Sequence, residues 1–297
     1  MNILITGASG LIGSTLVEYF VNEGHSVFSL QRNKNTTSPF WNFDRLTDQK
    51  NTLAFDAVIH LAGENIASGR WTKRKKSLIL ESRIKGTREL AEYLCKLEQK
   101  PDLFICASAI GYYGDRGESI LDESSPNGTN FVAEVCREWE NASKIAESES
   151  MRVVNMRIGM VLSGKGGTLS TMLPSFKLGI AGIVGDGKQY VSWVDMRDIT
   201  AMIQYIINDT SISGPVNFVS PNAVTNYEFT KTLGKILNKP TIMKMPAFAA
   251  RAVFGQMGNE LVLSSTRVVP KLLTECGYSF TAPDLEDSLR YCLQEKH

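Results

Sequence analysis

No run of apolar residues in this chain approaches the length needed to cross a bilayer, no Cys-x-x-Cys occurs, and neither sign of charge prevails. Each absence removes a class. Lysine plus arginine (32) nearly cancels aspartate plus glutamate (31), so no global field draws nucleic acid or an anionic membrane. The one basic run, Arg70 to Lys76, reads as a solvated face near a helix start. Five cysteines, Cys95, Cys106, Cys136, Cys276 and Cys292, are odd in number and widely scattered, which fits reduced thiols rather than a disulfide frame or a zinc site. Three histidines, one of them the C-terminal His297, leave a metal centre to the carboxylates, whose spacing suggests none. The amino terminus lacks the basic flank and cleavage site of a signal peptide, because it already reads as a strand. The expectation is a cytoplasmic protein with no nucleic-acid or membrane partner and no metal.

What is present is an ordinary globular composition, 43% hydrophobic and 21% charged over 297 residues, enough for one large domain or a main domain with a smaller lobe. Its first thirteen residues organise the rest. Asn2 to Thr6 reads as a short buried strand, running into Gly7, Gly10 and Gly13 and then into an amphipathic helix, Leu11 to Asn22. Gly7 can take the positive φ of a sharp exit from the strand, Gly10 lets a pyrophosphate approach the main chain, and Gly13 lets the helix lie close on the sheet. Free N–H groups at the helix start would face the phosphates. The position of the three glycines, after a strand and opening a helix, makes this a dinucleotide site; a glycine-rich turn that binds nothing is the plain alternative.

A second strand, Ser26 to Gln31, ends at the position that discriminates between cofactors. An acidic residue there would hold the ribose hydroxyls of NAD; Arg32 with Asn33 and Lys34 suits the 2′-phosphate of NADP. One charge-assisted hydrogen bond is worth roughly 1.5–3 kcal/mol, a preference of about ten- to a hundredfold for NADP over NAD. Residues 33–52 are polar and aperiodic, so a third strand is short or displaced. Ala57 to Leu61 reads as a buried strand, and the small Ala62 and Gly63 let the backbone pass beside a cofactor. Lys76 to Leu97 reads as a long crossover helix, Asp102 to Ala107 as a strand, Phe131 to Ser148 as a helix and Arg152 to Ile158 as a strand, with a loop from Gly159 to Gly167. This alternation implies a parallel sheet. Beyond it, Gly164 to Gly187 carries seven glycines around one short helix, Tyr190 to Val194 returns as a strand, Met196 to Ile207 as a helix and Pro215 to Val219 as a strand. The pattern is helical from Asn226 on, broken by Pro240, Pro246 and Pro270. The expected architecture is a Rossmann-type doubly wound α/β domain, residues 1–163 with a return near 190–220, and a smaller, mostly helical lobe from 164–189 and 221–297.

With these segments in place, the chain resembles an atypical extended short-chain dehydrogenase/reductase, the superfamily of nucleotide-sugar epimerases and dehydratases, and within it the "epimerase family protein" subgroup with its own C-terminal domain. The resemblance rests on Gly7 to Gly13, His60 to Ile66, Gly69-Arg-Trp71, Ser108 to Asp115, Cys136 to Glu140, Arg157 to Leu162, Ser192-Trp193 and the tail from Pro246, and runs nearly end to end. It implies NADP held by Gly7, Ser9, Gly10, Leu11, Ile12, Gly13, Gln31, Arg32, Leu61, Ala62, Gly63, Arg83 and Val161. It also implies a small-molecule substrate of polar, nucleotide-sugar type, and a homodimer through the helices at 76–97 and 131–148.

The same superfamily works with a tyrosine, its pKa lowered by a lysine four residues on, and a serine that holds the substrate oxygen. Here the helix that should carry the pair reads Phe131-Val-Ala-Glu-Val-Cys136-Arg, so phenylalanine, valine or cysteine stands in its place, and the expectation is that the chain lacks the dyad. Counting back from Tyr113-Gly114, the serine position falls on Ala109, one place beyond Ser108. Ser108, Tyr112 and Tyr113 are left as candidate proton donors at a strand's carboxyl end, where open α/β sheets bind ligands. Arg157 at the next strand end reads as a structural partner for a carboxylate, Trp139 as core or dimer interface, and Trp193 and Trp71 as plugs at the lobe or linings of the cleft. Two functions follow from the resemblance: an NADP-dependent oxidoreductase or epimerase, or an NADP-holding regulatory protein, for cell division or redox sensing, that has given up catalysis.

Overall fold

Five parallel pairings join six strands into one sheet, buried at its centre and partly exposed at the β2 edge. The computed structural model describes residues 1–31, 40–48, 51–52, 54–149 and 151–294. In chain order the elements of the first half are β1 (Asn2–Thr6), α1 (Leu11–Asn22), β2 (Ser26–Leu30), β3 (Thr47–Asp48), β4 (Asn51–Thr52), β5 (Ala57–His60), α2 (Lys73–Cys95), β6 (Leu103–Ala109), β7 (Ile120–Leu121), α3 (Phe131–Ser143) and β8 (Arg152–Ile158). The second half adds β9 (Met160–Leu162), α4 (Gly167–Lys177), β10 (Gly182–Val184), β11 (Tyr190–Val191), β12 (Trp193–Asp195), α5 (Met196–Asn208), β13 (Gly214–Phe218), β14 (Val224–Thr225), α6 (Asn226–Ile236), β15 (Met243–Met245), α7 (Ala247–Phe254), β16 (Arg267–Val268), α8 (Lys271–Glu275) and α9 (Leu285–Gln294). The sheet order is β13-β8-β6-β5-β1-β2, and every adjacent pair is parallel, with Thr6 opposite His60 and Ser108 opposite Arg157. Continuous apolar runs such as Ile3-Leu4-Ile5 and Val58-Ile59 are fully buried because helices cover both faces. This is the Rossmann-type sheet expected from the alternation.

Several boundaries move for local reasons. The helix expected from Lys76 starts at Lys73, because Thr72 caps it and accepts from the Lys75 amide at 3.2 Å. The helix expected to reach Ser148 ends at Ser143 and continues as a tighter turn over Lys144–Glu149. The segment read as a loop from Gly159 to Gly167 is a correction: Met160–Leu162 is a strand, parallel to Trp193–Asp195. The single strand expected over Tyr190 to Val194 divides at Ser192, whose hydroxyl donates to Thr266 O (2.8 Å) and accepts from Val268 N (2.9 Å). The division marks a change of partner, from Val224–Thr225 on one side to Met160–Leu162 on the other, and the Ser192 carbonyl still accepts from Met160 N at 2.9 Å. The tail is not purely helical either, since β15 pairs with β10 and β16 with β7. In residues 33–52, the described part holds the small β3–β4 hairpin.

Among the described residues two large apolar clusters and a small third one, Tyr113, Leu121, Val219 and Val268, make up the interior. The first lies on both faces of the sheet; the second joins Leu162, Leu169, Leu173, Phe176, Trp193, Phe229, Leu233 and Leu289 beneath the lobe. Trp193 is fully buried there, its indole donating to Asn222 O at 2.9 Å, so it plugs the lobe. Among the described residues no helix is long and apolar enough to cross a membrane, and no group of three His, Cys, Asp or Glu could hold a metal ion.

Candidate functional site

The carboxyl ends of β1, β5 and β6 meet at one edge of the sheet, and the turn after β1 is the tightest part of it. Gly7 has φ +72°, and a Cβ built there would stand 2.9 Å from Ala62 N and 3.0 Å from the Leu61 carbonyl carbon. A Cβ on Gly13 would collide with the Gly7 carbonyl oxygen and come within 2.9 Å of Ala8 Cα, so this glycine lets the helix close on its own turn. Gly10 caps α1 without a side chain, no acidic residue stands in the first turn, and Ser9 and Gly10 are exposed. The first amides of α1 thus face outward uncapped, as anion binding at a helix start requires.

Around this turn the structure gathers Leu11, Ile12, Leu61, Ala62 and Gly63. A Cβ on Gly63 would lie 3.1 Å from Arg83 Cζ, and Arg83 donates to Glu64 O (3.0 Å) while its guanidinium lies 4.8 Å from the Trp139 ring. Arg83 therefore shapes the loop after β5 from α2. Gln31 is exposed just past β2, its carbonyl accepting from Asn42 N at 3.2 Å; Arg32 lies outside the described residues. Val161 sits in β9 opposite Val194 and packs against the main core, as Ala8 and Ile12 do, and the loop that follows β9 reaches the turn: Gly166 and Gly167 lie against the Leu11 side chain. The glycine density at 164–167 was the signal for that approach.

Beneath the turn runs a buried polar chain that sequence reasoning missed. Thr6 Oγ1 lies 2.6 Å from His60 Nδ1, His60 Nε2 lies 2.8 Å from Thr87 Oγ1, and the Trp139 indole donates to Thr87 Oγ1 at 2.9 Å. It ties the ends of β1 and β5 to α2 and α3. Burial, with the Arg83 charge adding to it, pushes the His60 pKa down to about 3, so the ring is neutral. Unfolded, this imidazole titrates near 6.5. Between those values the unfolded chain takes a proton that the folded chain refuses, so stability falls as pH drops, by about 1.4 kcal/mol per unit. Chemical denaturation at pH 7 and pH 5 is expected to show about 2 kcal/mol more loss for wild type than for His60→Gln; equal losses would contradict the assignment.

At the end of β6 the candidate proton donors separate. Ser108 is buried and donates to Glu140 Oε1 at 2.7 Å. Arg157 grips the same carboxylate with Nε on Oε1 and Nη2 on Oε2, both at 2.9 Å, and donates from Nη1 to Tyr113 Oη at 3.0 Å. Burial opposes the Arg157 cation, but the hydrogen bonds and charge of Glu140 outweigh it and raise the pKa. Tyr113 has no exposed surface, its hydroxyl donates to Asn217 Oδ1 at 2.6 Å, and burial pushes its pKa up to about 12. A phenol so enclosed has no path to a substrate, which argues against it as donor. Tyr112 lies at the half-buried rim, its ring 3.5 Å from the Arg157 guanidinium.

The face of α3 turned toward these residues reads Val132, Cys136 and Glu140, one residue per helical turn. A Cβ on Gly111 would collide with Val132 Cγ1 and reach 4.0 Å from Cys136 Sγ. Burial, then the charge of Glu140, pushes the Cys136 thiol up to about 12. Val132 and the protonated Cys136 thiol thus stand four residues apart on this face, and neither is a tyrosine or a lysine. The expectation that the chain contains no such spacing is itself corrected: Tyr227 and Lys231 have it, but on α6 in the lobe. The basic run at 70–76 is more than a solvated face. Lys75 pairs with Glu64 at 2.7 Å, and Lys76 lies 4.9 Å from the Phe131 ring.

Comparison with known proteins fits this arrangement. Residues 3–218 match the NAD dependent epimerase/dehydratase family, and residues 245–292 match a domain of unknown function, DUF1731. Epimerase family protein YfhF of Bacillus subtilis is 33% identical over 303 residues, covering 100% of this chain and 99% of that protein. The crystal structure of human epimerase family protein SDR39U1 (isoform 2) with NADPH superposes over 100% of both chains with a TM-score of 0.91 at 29% identity. UDP-glucuronic acid 4-epimerase from Bacillus cereus in complex with NAD shares the fold, with a TM-score of 0.74 at 19% identity over 98% of this chain and 94% of that one.

Proposed function

The chain belongs to the NAD dependent epimerase/dehydratase family, and on that footing we propose that it holds NADP(H) in preference to NAD(H) and acts as an oxidoreductase or epimerase on a small polar substrate, nucleotide sugars among the candidates. The observation that carries this reading is the turn from β1 into α1, where uncapped amides and three closely packed glycines leave room for a pyrophosphate. Arg32 after β2 supports the phosphorylated cofactor, as does the NADPH bound by the human relative. Bound cofactor would supply hydride transfer. This chain's residues bind it with α1, shape the loop over it with Arg83, and offer Tyr112 at the rim as proton source.

Titration with NADPH and NADH, followed by nicotinamide fluorescence, tests the preference. NADPH is expected to bind at least tenfold tighter, and Arg32→Ala to remove that margin. Equal affinities, or a margin that survives the substitution, would contradict it. The α3 face of Val132 and Cys136 favours a second reading, a cofactor-holding regulatory protein without turnover. A reproducible change in nicotinamide absorbance with any physiological substrate would remove this alternative.

A further inference from the structure

We propose that the lobe carries a second ligand site, for a small organic anion, in the cavity between α6, β10 and β15. The cavity measures about 420 Å3, and Ile183, Asp186, Tyr227, Lys231, Ile242 and Lys244 are among the residues that line it. That volume is in the usual range for small-molecule pockets. None of the lining residues belongs to the turn at 7–13, the loop at 61–64 or Arg83, so the site is separate from the cofactor bay.

Charge selects the ligand. Two ammonium groups face one carboxylate, and Asp186 Oδ1 is already engaged by the Lys188 amide at 3.0 Å within its own turn. The sequence from Phe229 to Asn259, which supplies Lys231, Ile242 and Lys244, contains no aspartate or glutamate and five cationic residues. The excess positive charge is therefore not neutralised from that segment, and a ligand with a carboxylate or phosphate answers it.

The site is also organised before any ligand arrives. Lys231 Nζ donates to Thr241 O (3.1 Å) and Thr241 Oγ1 (3.2 Å) and lies 5.6 Å from the centroid of the Tyr227 ring. Two of its three N–H groups are so fixed, and one is left for a ligand oxygen. Tyr227 and Lys231 stand one helical turn apart on α6, so ring and ammonium present together. The floor is tied to the same helix: Tyr227 N donates to Gly187 O at 2.9 Å, and Val184 N donates to Asn226 Oδ1 at 3.0 Å. Ile183 is buried at the base of this half-open cavity, and Ile242 and the Tyr227 ring stand at its exposed apolar rim. The ligand is thus an anionic group on an apolar or planar body, with the anion between Lys231 and Lys244.

Fluorine NMR of 4-fluorophenyl phosphate with the full chain tests this, with and without saturating NADPH. The probe is expected to bind in both conditions and to weaken at least tenfold in Lys231→Gln/Lys244→Gln. The neutral 4-fluorobenzyl alcohol is expected to bind at least tenfold more weakly. Lys244 is exposed, so Lys244→Gln alone guards against misfolding and should weaken the probe at least threefold. Unchanged binding in both variants, equal binding of the neutral probe, or displacement by NADPH would overturn the proposal.

Discussion

Replacing Glu140 with alanine is expected to destabilise the fold by about 3–5 kcal/mol, the largest loss of any single polar substitution at the site. Glu140 and Arg157 are nearly water-free, with side chains 8% and 3% exposed. Two parallel hydrogen bonds join them, and the same carboxylate accepts from Ser108. Removing the carboxylate leaves a guanidinium in the interior with hydrogen bonds to the Tyr113 hydroxyl and the Glu123 carbonyl and the face of the Tyr112 ring, none of which carries a compensating charge. Removing the charge on both sides is different in kind, because two apolar residues of similar volume owe no desolvation. Glu140→Leu/Arg157→Met should therefore recover most of the loss, and thermal or urea unfolding of the single and double variants would show it. If Glu140→Ala unfolds within about 1 kcal/mol of wild type, the pair is not the buried clamp described here.

Gly13→Val is expected to reduce NADPH affinity at least a hundredfold. A side chain at this position meets the Gly7 carbonyl and Ala8 Cα, both backbone, so neither can turn aside. The first turn of α1 must move outward, and the amides that face the phosphates move with it. A displacement near 1 Å suffices, because hydrogen bonds to phosphate weaken steeply with distance and angle. Ser14→Ala, which removes only a hydroxyl bonded to Gly10 O, should bind within threefold of wild type. Equal affinity in Gly13→Val would place the cofactor elsewhere.

Local pattern carried far in this chain. The run from Asn2 to Gly13 specified strand, turn and helix together, because a buried parallel strand, a positive φ and an anion-facing helix start each demand particular residues. Arg157 was legible as a carboxylate's partner from its place at a strand end. Its actual partner was not, because Glu140 comes from another element and only packing brings the two together. The chain Thr6–His60–Thr87–Trp139 was hidden for the same reason, its members being spread over 133 positions. Tyr113 misled as a possible donor. Sequence shows a tyrosine after a strand but not which of two adjacent rings turns inward, and Asn217, 104 residues away, settles that. In the second half of the chain, strands of two or three residues such as β9, β12 and β15 are too short for alternation to register, and their pairing is set by tertiary contacts.

Hydrogen exchange measured by mass spectrometry, with and without saturating NADPH, tests the cofactor bay most directly, because it reads where binding orders the backbone. The expected result is slowed exchange in peptides covering residues 7–14 and 61–64, with α6 and β15 unchanged. Slowed exchange confined to the lobe, or none at the turn between β1 and α1, would contradict the placement of the cofactor.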